Sequence, residues 1–425
     1  MASALFTHDD VSCELPKVEA TTGNNGYDVG KLLAQTGDTT FDIGFGSTAA
    51  CKSAITFIDG DAGILRYRGY PIEQLAEHAC FLEVSYLVLY GELPTKDQLE
   101  EFSARIAHYH LIDERLKEMF RFPPRRSHPM TLLAAGLNAF SAFTYTNPNI
   151  DPENLDNLTH RLMGTVPTLA AYGYKNSTGQ PMLYPDVSLS YVENFLRMSF
   201  GLPTGPYPFD DEVTKALEVL LILHADHEQN CSTSTVRLVG SSGANLIVSV
   251  AAGVNALSGP LHGGANQAVL EMLAEIKAQG GDVSQFVAKV KAKEAKLMGF
   301  GHRIYKNYDP RAAIVKRHAD SILRHRTGYD QLLDIALQLE ETALSDPYFQ
   351  ERKLYPNVDF YTGLIYQAMG FPVNMFTVLF ALGRLPGWIA HWREQHADPT
   401  SKIGRPRQIY VGEVERQFVP MEARG

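Results

Sequence analysis

The stretch GANLIVSVAAGVNALSGPLHGGAN, residues 243–266, gives a clear indication of the fold. Over residues 243–257, small and apolar residues cover nearly every side of a helical projection, as in helices that are buried on all faces. Serine, glycine and proline at 258–260 then end the helix. We therefore expect a central buried helix that neighbouring helices approach closely.

Helical patterns continue on both sides of this stretch, over residues 71–392. Apolar residues recur at helical spacing over 212–226 and 266–279. Two more helices are expected, one that starts with Asp309 as its N-cap and one that follows Asp359. The larger part of the chain is therefore predicted to be helical.

Short β-like runs precede the helices, within residues 11–68. Glycine and aspartate turns separate them, as is typical of strands in a small sheet. They are TTFDI at 39–43, SAITFI at 53–58 and GILRYR at 63–68. The polar tail after residue 398 holds another strand-like run, RQIYV at 407–411. The sequence thus predicts a mainly α fold with a small N-terminal β unit.

Composition and charge indicate a folded protein that does not bind nucleic acid. The chain has 425 residues, of which 45% are hydrophobic and 20% are charged, and this length suggests two or three structural units. The formal charge is −10 and no long basic block occurs, which argues against a nucleic-acid partner. Acidic ligands can still bind wherever a few arginines converge.

Cysteine spacing and the absence of targeting signals lead us to expect a cytoplasmic protein. The four cysteines lie far apart and include no Cys-x-x-Cys pair, which argues against a disulfide framework and against a thiolate zinc site. The first ten residues lack the basic and apolar regions of a secretory signal. The longest apolar stretches, near 246–257 and 373–381, are shorter than the ~20 residues that span a bilayer.

Residues 223–230, LHADHEQN, place two histidines three residues apart with carboxylates around them. Such a group could bind zinc, and a metal-dependent hydrolase built on His224, His227 and Glu228 is one hypothesis. The HExxH order is absent, however, and no third ligand is evident. His224 shares the apolar face of its helix and is better explained as a core histidine. His227, at the polar helix end, is the better candidate for binding a ligand.

Two glycine-rich segments also present histidines. SGPLHGGAN at 258–266 sets His262 between two helices, where backbone amides are free to approach a ligand. An ordinary connection that contains a histidine explains it equally well. MGFGHRIYKNYDPR at 298–311 presents His302 in a loop that suits a polyanionic substrate, although a solvated basic turn is an alternative. Three cations follow His302, namely Arg303, Lys306 and Arg311.

An aspartate and two arginines complete the candidates. Asp359, in LYPNVDFYTG, lies between apolar and aromatic residues that would raise its basicity, although a helix N-cap is the commoner role at such a place. Arg384 interrupts an apolar helix, where an unpaired guanidinium is costly, and needs an anionic partner in the protein or in a substrate. Arg405 in GRPR could be no more than a tail charge.

Four of these segments together resemble the active-site segments of the citrate synthase family: HADHEQNCSTSTVR, SGPLHGGAN, MGFGHRIYKNYDPR and LYPNVDFYTG. They occur in the family's order over nearly the whole chain. The run from TFDIGFGSTA to ITFIDGDAGILRYRGYPI resembles a bacterial subclass with an extra N-terminal β domain, which often forms a hexamer of three dimers. The resemblance implies a homodimer as the minimal unit and allows a homohexamer.

The resemblance also implies the domain organisation. A β-rich unit would span residues 1–68, and a large helical domain would span residues 69–263 and 371–425, the latter with the tail. A small helical domain, residues 264–370, would interrupt the large one and close over the substrates.

The implied activity is that of an acyltransferase of the tricarboxylic acid cycle that uses no cofactor or metal and condenses acetyl-CoA with oxaloacetate. Asp359 would remove a proton from the acetyl methyl group. Neutral His262 would donate a hydrogen bond to the thioester oxygen. His302 would polarise the ketone of oxaloacetate and then protonate the alkoxide. The citryl thioester would then be hydrolysed.

The same resemblance implies two groups of binding residues. Those for oxaloacetate are His227, Arg311, Arg384 and Arg405, the last of them from a partner subunit. Those for CoA are Leu297, Met298, Gly299, Phe300, Gly301, Lys306, Arg352, Lys353 and Asn357.

Two alternatives within the resemblance stay open, and one feature departs from it. A 2-methylcitrate synthase would use the same residues with propionyl-CoA, because one methylene is worth only ~1–3 kcal/mol of discrimination. A catalytically silent CoA-binding homologue is the other alternative, and the intact catalytic residues argue against it. Members that NADH inhibits resemble one another around a cysteine before Pro-Tyr, whereas this chain has Thr204 near that place, which argues against such inhibition.

Overall fold

The computed structural model describes residues 2–8, 10–144, 152–302, 304–324 and 330–424. Arg303, one of the cations expected beside His302, lies outside the described residues. The chain divides into two compact units, one of Met1–Lys52 with Ile403–Gly425 and one of Ser53–Lys402. The predicted limits of the small helical domain, residues 264 and 370, both lie inside the second unit and stay a prediction.

Among the described residues, helices contain 55% and strands 7%, which confirms the predicted mainly α fold. The helices of the described residues are α1 (Leu32–Thr36), α2 (Ile72–His78), α3 (Phe81–Tyr90), α4 (Lys96–His108), α5 (Glu114–Glu118), α6 (Pro129–Phe143), α7 (Pro152–Thr178), α8 (Tyr191–Phe200), α9 (Asp211–His224), α10 (Cys231–Gly240), α11 (Leu246–Leu257), α12 (Ala265–Ala278), α13 (Val283–Lys291), α14 (Pro310–Arg324), α15 (Asp330–Ser345), α16 (Pro347–Glu351), α17 (Asp359–Ala368) and α18 (Phe376–Ala397). Short 3₁₀ turns occur at Val373–Met375 and Met421–Ala423.

The strands form two separate antiparallel sheets, one in each unit. The sheet of the first unit consists of β1 (Ser3–His8), β2 (Val11–Val18) and β3 (Gly26–Tyr27). The sheet of the second unit consists of β4 (Thr56–Asp59), β5 (Ile64–Tyr67) and β6 (Tyr70–Pro71).

Two of the four strand-like runs in the sequence are confirmed and two are wrong. The runs at 53–58 and 63–68 contain β4 and β5, which pair in antiparallel register. Residues 39–43 and 407–411 form no strand. A strand needs a hydrogen-bonding partner as well as suitable residues, and no strand of the described residues pairs with either of these two runs.

The predicted central helix is confirmed as α11. It contacts α6, α10 and α18, and most of its side chains are buried. It begins at Leu246, three residues later than the sequence pattern suggests, because the Asn245 side chain accepts a hydrogen bond from the backbone N–H of Val248 over 3.0 Å and so caps the helix.

The apolar segment at 373–381 belongs to a longer helical segment than the sequence suggests. Within the described residues, Val373–Ala397 is long and apolar enough to cross a membrane by length and composition. However, 83% of its most apolar window is buried inside the protein, as is typical of the core helix of a folded domain. This segment, which includes α18, carries Arg384 into the interior of the second unit.

Two helix starts near the candidate site differ in how they are capped. Asp309 accepts a hydrogen bond from the backbone N–H of Arg311 over 3.0 Å, which confirms it as the N-cap of α14. At α17 the N-cap interpretation of Asp359 is wrong. Val358 occupies the cap position and Asp359 is the first helical residue, because the Asn357 side chain already accepts the N–H of Asp359 over 3.0 Å. The Asp359 carboxylate is therefore not used as a cap.

Candidate active site

His262 lies in the turn between α11 and α12 and is held by the start of α10. The backbone N–H of Ser232 donates to Nε2 of His262 over 3.2 Å, and the Ser232 hydroxyl lies 2.8 Å from the same nitrogen. A ring nitrogen that accepts an N–H carries no proton, so the proton of neutral His262 is on Nδ1. Burial, helped by the charge of Arg384, lowers the pKa of His262 to about 4.

Ser232 is itself fixed by two further contacts. The indole N–H of Trp388 donates to its hydroxyl over 3.1 Å, and the hydroxyl lies 2.8 Å from Oδ1 of Asn230, the N-cap of α10. The orientation of His262 thus depends on α10 and α18 as well as on its own turn.

His302 has the opposite tautomer. The backbone N–H groups of Ile304 and Tyr305 donate to its Nδ1 over 3.0 and 3.2 Å, which leaves the proton on Nε2 when the ring is neutral. Burial, together with the charge of Arg311, lowers the pKa of His302 to about 4. His302 is therefore a neutral hydrogen-bond donor at neutral pH.

The loop that carries His302 runs beside the segment that leads to Asp359. The backbone N–H of Gly301 donates to the carbonyl oxygen of Tyr355 over 2.8 Å, and that of Asn357 donates to the carbonyl oxygen of Gly299 over 2.9 Å. The Asn357 side-chain amide also donates to the carbonyl oxygen of Gly301 over 2.9 Å. Because Asn357 also caps the N–H of Asp359, one side chain links the approaches to both candidate catalytic residues.

The carboxylate of Asp359 is partly buried near the first turn of α17. Burial raises the pKa of Asp359 from 3.8 to about 6, and the opposing attraction of Arg311 does not cancel this effect. The carboxylate is then a stronger base than an exposed aspartate and is still mostly ionised at pH 7.

Arg311 is buried and paired with Asp309. Nε and Nη2 of Arg311 donate to the two carboxylate oxygens of Asp309 over 3.0 and 2.9 Å. Burial acts to lower the pKa of Arg311, but Asp309 and its neighbours outweigh burial and keep that pKa above its ordinary value. Asp309 also accepts the backbone N–H of Val358 over 3.2 Å, so it ties Arg311 to the residue before Asp359.

Arg384 is buried, and no carboxylate of the described residues forms an ion pair with it. Its Nε donates to the carbonyl oxygen of His224 over 2.6 Å, and within the described part of the chain its Nη1 has no hydrogen-bond partner. Burial lowers the pKa of Arg384 to about 10, so it stays a cation at neutral pH. A buried cation with a free N–H group is prepared to bind an anion.

Two glycines of α18 explain how Arg384 reaches His224. A Cβ at Gly383 would lie 2.8 Å from Cβ of His224, and one at Gly387 would lie 2.3 Å from the carbonyl oxygen of Ala225. The backbone N–H of Gly387 donates to that oxygen over 3.1 Å. Only residues without a side chain allow α18 to approach the end of α9 this closely.

His227 lies beside His302, and His224 behaves differently from it. The ring centroids of His227 and His302 are 5.3 Å apart, and the buried Nε2 of His227 has no hydrogen-bond partner in the ranges that the structure describes. Burial lowers the pKa of His227 well below its ordinary value. His224 is fully buried and its Nδ1 donates to the carbonyl oxygen of Leu220 over 2.6 Å, as expected of a core histidine, while its Nε2, like that of His227, has no hydrogen-bond partner among the described residues.

The metal hypothesis finds no support in this geometry. Glu228 accepts the backbone N–H of Ile58 over 3.1 Å, and His224 is turned to a carbonyl of its own helix. Across the described ranges, no group of three or more His, Cys, Asp or Glu side chains could hold a metal ion.

Two arginine charges connect the candidate residues. Arg384 acts on the pKa values of His262, His227 and Asp359, and Arg311 acts on those of His302, His227 and Asp359. The structure therefore gathers three histidines and one carboxylate around two buried cations. Such a set can bind a small polyanion and supply a base together with neutral hydrogen-bond donors.

The residues expected to bind CoA lie in three places. Residues 297–301 and Asn357 form the paired segments beside His302, and Lys306 is exposed in the same loop, with Nζ 3.5 Å from the carbonyl oxygen of His302. Arg352 and Lys353 are exposed just after α16, where Arg352 lies over the ring of Tyr348 at 3.9 Å. These assignments stay predictions.

Arg405 belongs to the other unit, where it is exposed. Its assignment to the oxaloacetate site therefore also stays a prediction.

Sequence reasoning missed Ser232, Trp388 and the pairing role of Asp309. The Asp-x-Arg spacing of Asp309 and Arg311 was a signal for their pairing. Asp113 and Arg115 have the same spacing at the start of α5, where the backbone N–H of Arg115 donates to the Asp113 carboxylate over 2.8 Å and the two side chains form an ion pair. No local signal points to Ser232 or Trp388, which reach His262 only through the packing of α10 and α18.

Comparison with known proteins gives a consistent result. A sequence profile for the citrate synthase C-terminal domain matches residues 44–407. The chain is 64% identical over 418 residues to citrate synthase 1 of Mycobacterium tuberculosis, covering 97% of this chain and 96% of that one. It is 60% identical over 415 residues to citrate synthase of Corynebacterium glutamicum, covering 97% and 95%.

Solved structures agree with the sequence comparison. The fold is similar to citrate synthase from Pyrobaculum aerophilum, with a TM-score of 0.80, 39% identity and coverage of 88% of this chain and 93% of that one. It is also similar to citrate synthase from Thermoplasma acidophilum in a ternary complex with carboxymethyl coenzyme A and oxaloacetate, with a TM-score of 0.83, 33% identity and coverage of 89% and 98%. By sequence and by fold, the chain belongs to the citrate synthase family and is an acyltransferase.

Proposed function

We propose that this protein condenses acetyl-CoA with oxaloacetate and hydrolyses the resulting citryl thioester to citrate and CoA. The observation that carries the proposal is that hydrogen bonds determine which ring nitrogen of two histidines carries the proton. Nε2 of His262 and Nδ1 of His302 both accept backbone N–H groups, so the other nitrogen of each neutral ring is a donor. Two preset neutral donors suit two carbonyl oxygens that become negative during the reaction.

Asp359 is the base for the acetyl methyl group. This carbon is a very weak acid, so the enolate must be stabilised while it forms, and Nδ1–H of His262 donates to the thioester oxygen for that purpose. The raised pKa of Asp359, about 6, makes the carboxylate more basic without protonating it at neutral pH.

His302 acts on oxaloacetate. Its Nε2–H donates to the ketone oxygen, which makes the ketone carbon more electrophilic, and it protonates that oxygen after the new carbon–carbon bond has formed. A neutral imidazole is favoured here because burial and Arg311 lower the pKa of His302 to about 4.

Arg311 and Arg384 bind the carboxylates of oxaloacetate, and His227 helps to orient it. Nη1 of Arg384 and Nε2 of His227 support these roles, since both are buried and no described residue is hydrogen-bonded to either. Arg405 of a partner subunit would complete the carboxylate-binding set.

CoA binds along residues 297–301 and Asn357, with Lys306, Arg352 and Lys353 near its phosphates. The exposure of these three cations supports contact with a phosphate group. The Thermoplasma acidophilum relative, a complex with a CoA derivative and oxaloacetate, supports the same substrate pair here. Water hydrolyses the thioester, and no metal or other cofactor takes part.

The functional unit that we propose is a homodimer in the cytoplasm, with a homohexamer of three dimers as the larger assembly. Several large apolar side chains of the first unit are exposed, including Ile43 at 83% and Val414 at 101%, which favours burial against a second copy. Light scattering coupled to size-exclusion chromatography distinguishes two copies from six, and a monomer at micromolar concentration would contradict both states.

The decisive experiment compares acyl-CoA substrates. The purified protein is supplied with oxaloacetate and either acetyl-CoA or propionyl-CoA, and free CoA is followed for both. We expect a kcat/KM for acetyl-CoA at least about tenfold higher, because one methylene in a fitted pocket is worth ~1–3 kcal/mol. The opposite preference would make the protein a 2-methylcitrate synthase, and no release with either thioester would make it a silent homologue.

A chelator separates this reaction from metal-dependent hydrolysis. We expect full activity after dialysis against excess EDTA, since the proposed steps use only side chains. Loss of activity that added zinc restores would favour the hydrolase built on His224, His227 and Glu228.

A further inference from the structure

Glu340 is a buried carboxylate that the steps proposed above do not use. It lies in α15, and 2% of its surface is exposed. Burying a carboxylate is costly unless donors surround it, so its partners show what holds it in place.

Three donors converge on the Glu340 carboxylate. The hydroxyl of Tyr308 donates to Oε1 over 2.6 Å and that of Tyr361 donates to Oε2 over 2.6 Å. The ammonium group of Lys316 forms an ion pair with Oε2. Burial and the hydrogen bonds to Glu340 keep the pKa values of both tyrosines above the ordinary value, so both remain donors. Hydrogen bonds of this length to an ionised acceptor are strong.

Each donor belongs to a segment of the candidate active site. Tyr308 precedes Asp309, which pairs with Arg311 through two hydrogen bonds. Tyr361 follows Asp359 by two residues in α17, and Lys316 is in α14, five residues after Arg311. All three donors come from outside α15, and they meet at one carboxylate.

We propose that Glu340 is a positioning residue for the condensation: it holds the loop of His302 and the first turn of α14, which carries Arg311, against the helix that begins with Asp359. The inference rests on the proposed function. Because Glu340 contacts neither candidate catalytic side chain, it acts through Tyr308 and Tyr361. A neutral residue cannot accept both phenols and pair with Lys316, so a carboxylate is required at this place.

The test uses Glu340→Gln, which keeps the size of the side chain and replaces one acceptor oxygen by an NH₂ group. We expect kcat to fall by about 10- to 100-fold, because small displacements of reacting groups are costly. The KM for oxaloacetate should rise severalfold as Arg311 shifts. The matched control is Glu341→Gln on the exposed side of the same helix, which should behave as wild type.

Two hydroxyl deletions separate positioning from stability. Tyr361→Phe should mainly lower kcat, since it frees the helix of Asp359, and Tyr308→Phe should mainly raise the KM for oxaloacetate. Each effect should nearly vanish in the Glu340→Gln background, because the acceptor is already impaired. These variants also serve if Glu340→Gln does not fold.

The inference is overturned if folded Glu340→Gln, or the double variant lacking both hydroxyls, has wild-type kcat and KM. It is equally overturned if only the melting temperature changes, since that is a structural role. If the wild-type protein itself does not condense the two substrates, it is the proposed function that fails.

Discussion

The backbone N–H of Ser232 donates to Nε2 of His262 across 30 residues of sequence, over 3.2 Å. This single hydrogen bond decides which ring nitrogen of His262 carries the proton. It places the proton on Nδ1 and, with a pKa of about 4, keeps the ring neutral.

The first prediction concerns His262. His262→Ala should lower kcat by about 10²–10³-fold, because it removes one preset donor to the developing oxyanion. Steady-state kinetics measures this effect, and circular dichroism should show an unchanged helix content. His78→Ala, at an exposed histidine of α2, is the control and should keep full activity. Nitrogen NMR at pH 7 should detect the Nδ1–H tautomer of His262, and a charged ring would contradict the assignment.

The second prediction concerns the activity of Asp359. In the wild type, kcat/KM should fall about tenfold for each pH unit below about 6, because the protonated carboxyl cannot accept the methyl proton. Asp359→Asn should lower kcat by orders of magnitude at every pH. A pH profile of kcat/KM from 4.5 to 8 tests both expectations, and a flat wild-type profile between pH 5 and 7 would rule out this carboxyl as the base.

The third prediction is that Asp359→Asn, which lowers activity, raises the stability of the fold. The pKa of Asp359 in the folded state, about 6, lies above the unfolded value, so between these values the folded state binds more protons and stability falls as pH rises. Asp359→Asn should therefore raise the melting temperature at pH 8, and the gain should shrink as the pH falls below about 6. A gain that is equal at pH 5 and pH 8 would refute this cause.

Asp346→Asn is the matched control for that stability effect. The hydrogen bond from Lys291 lowers the pKa of Asp346, so ionised Asp346 stabilises the fold above its unfolded pKa. This substitution should not raise the melting temperature at pH 8. Only the carboxylate with the raised pKa should yield a more stable variant.

The fourth prediction concerns Arg384 and oxaloacetate. Arg384→Leu should raise the KM for oxaloacetate by about 100-fold, because a buried carboxylate of the substrate would lose its charged partner. Oxaloacetate at 100 times its Kd should stabilise the wild type by about 2.7 kcal/mol, and the variant should show no such shift at the same concentration. Differential scanning fluorimetry measures both proteins.

Arg237→Leu is the control for Arg384, since Arg237 contacts α18 through the carbonyl oxygen of His391 and pairs with Glu394. This variant should keep the thermal shift with oxaloacetate. An undiminished shift in Arg384→Leu would remove Arg384 from the binding set.

The fifth prediction concerns the turn that holds the His302 loop. The backbone N–H of Lys306 donates to the carbonyl oxygen of Gly60 over 2.8 Å, and a Cβ at Gly60 would lie 2.2 Å from the carbonyl oxygen of Ile304. Gly60→Ala must displace this loop, and we expect kcat to fall by up to about 100-fold. Gly205→Ala, where a Cβ meets no atom within 4 Å, should be neutral. Equal activities of the two variants would argue against this role of the turn.

Much of the helical structure could be predicted because it depends on neighbours in the chain. The Asp309 cap and the buried character of α11 follow from residues within a few positions of each other. The strands predicted at 39–43 and 407–411 were wrong because a strand depends on distant residues as well as on its own. It needs a hydrogen-bonding partner from elsewhere in the chain. The cap predicted at Asp359 failed because Asn357, two residues earlier, had already accepted the N–H.

The sequence by itself determined which chemical groups are present: histidines in glycine-rich loops, an aspartate at a helix start and arginines in apolar surroundings. Only the tertiary structure decided the pKa, the tautomer and the orientation of these groups. Ser232 sets the tautomer of His262, and the carbonyl of His224 receives Arg384 across 160 residues. The reason is physical: local patterns depend on contacts within about one helical turn, whereas pKa, tautomer and orientation depend on burial and on donors that distant helices bring together.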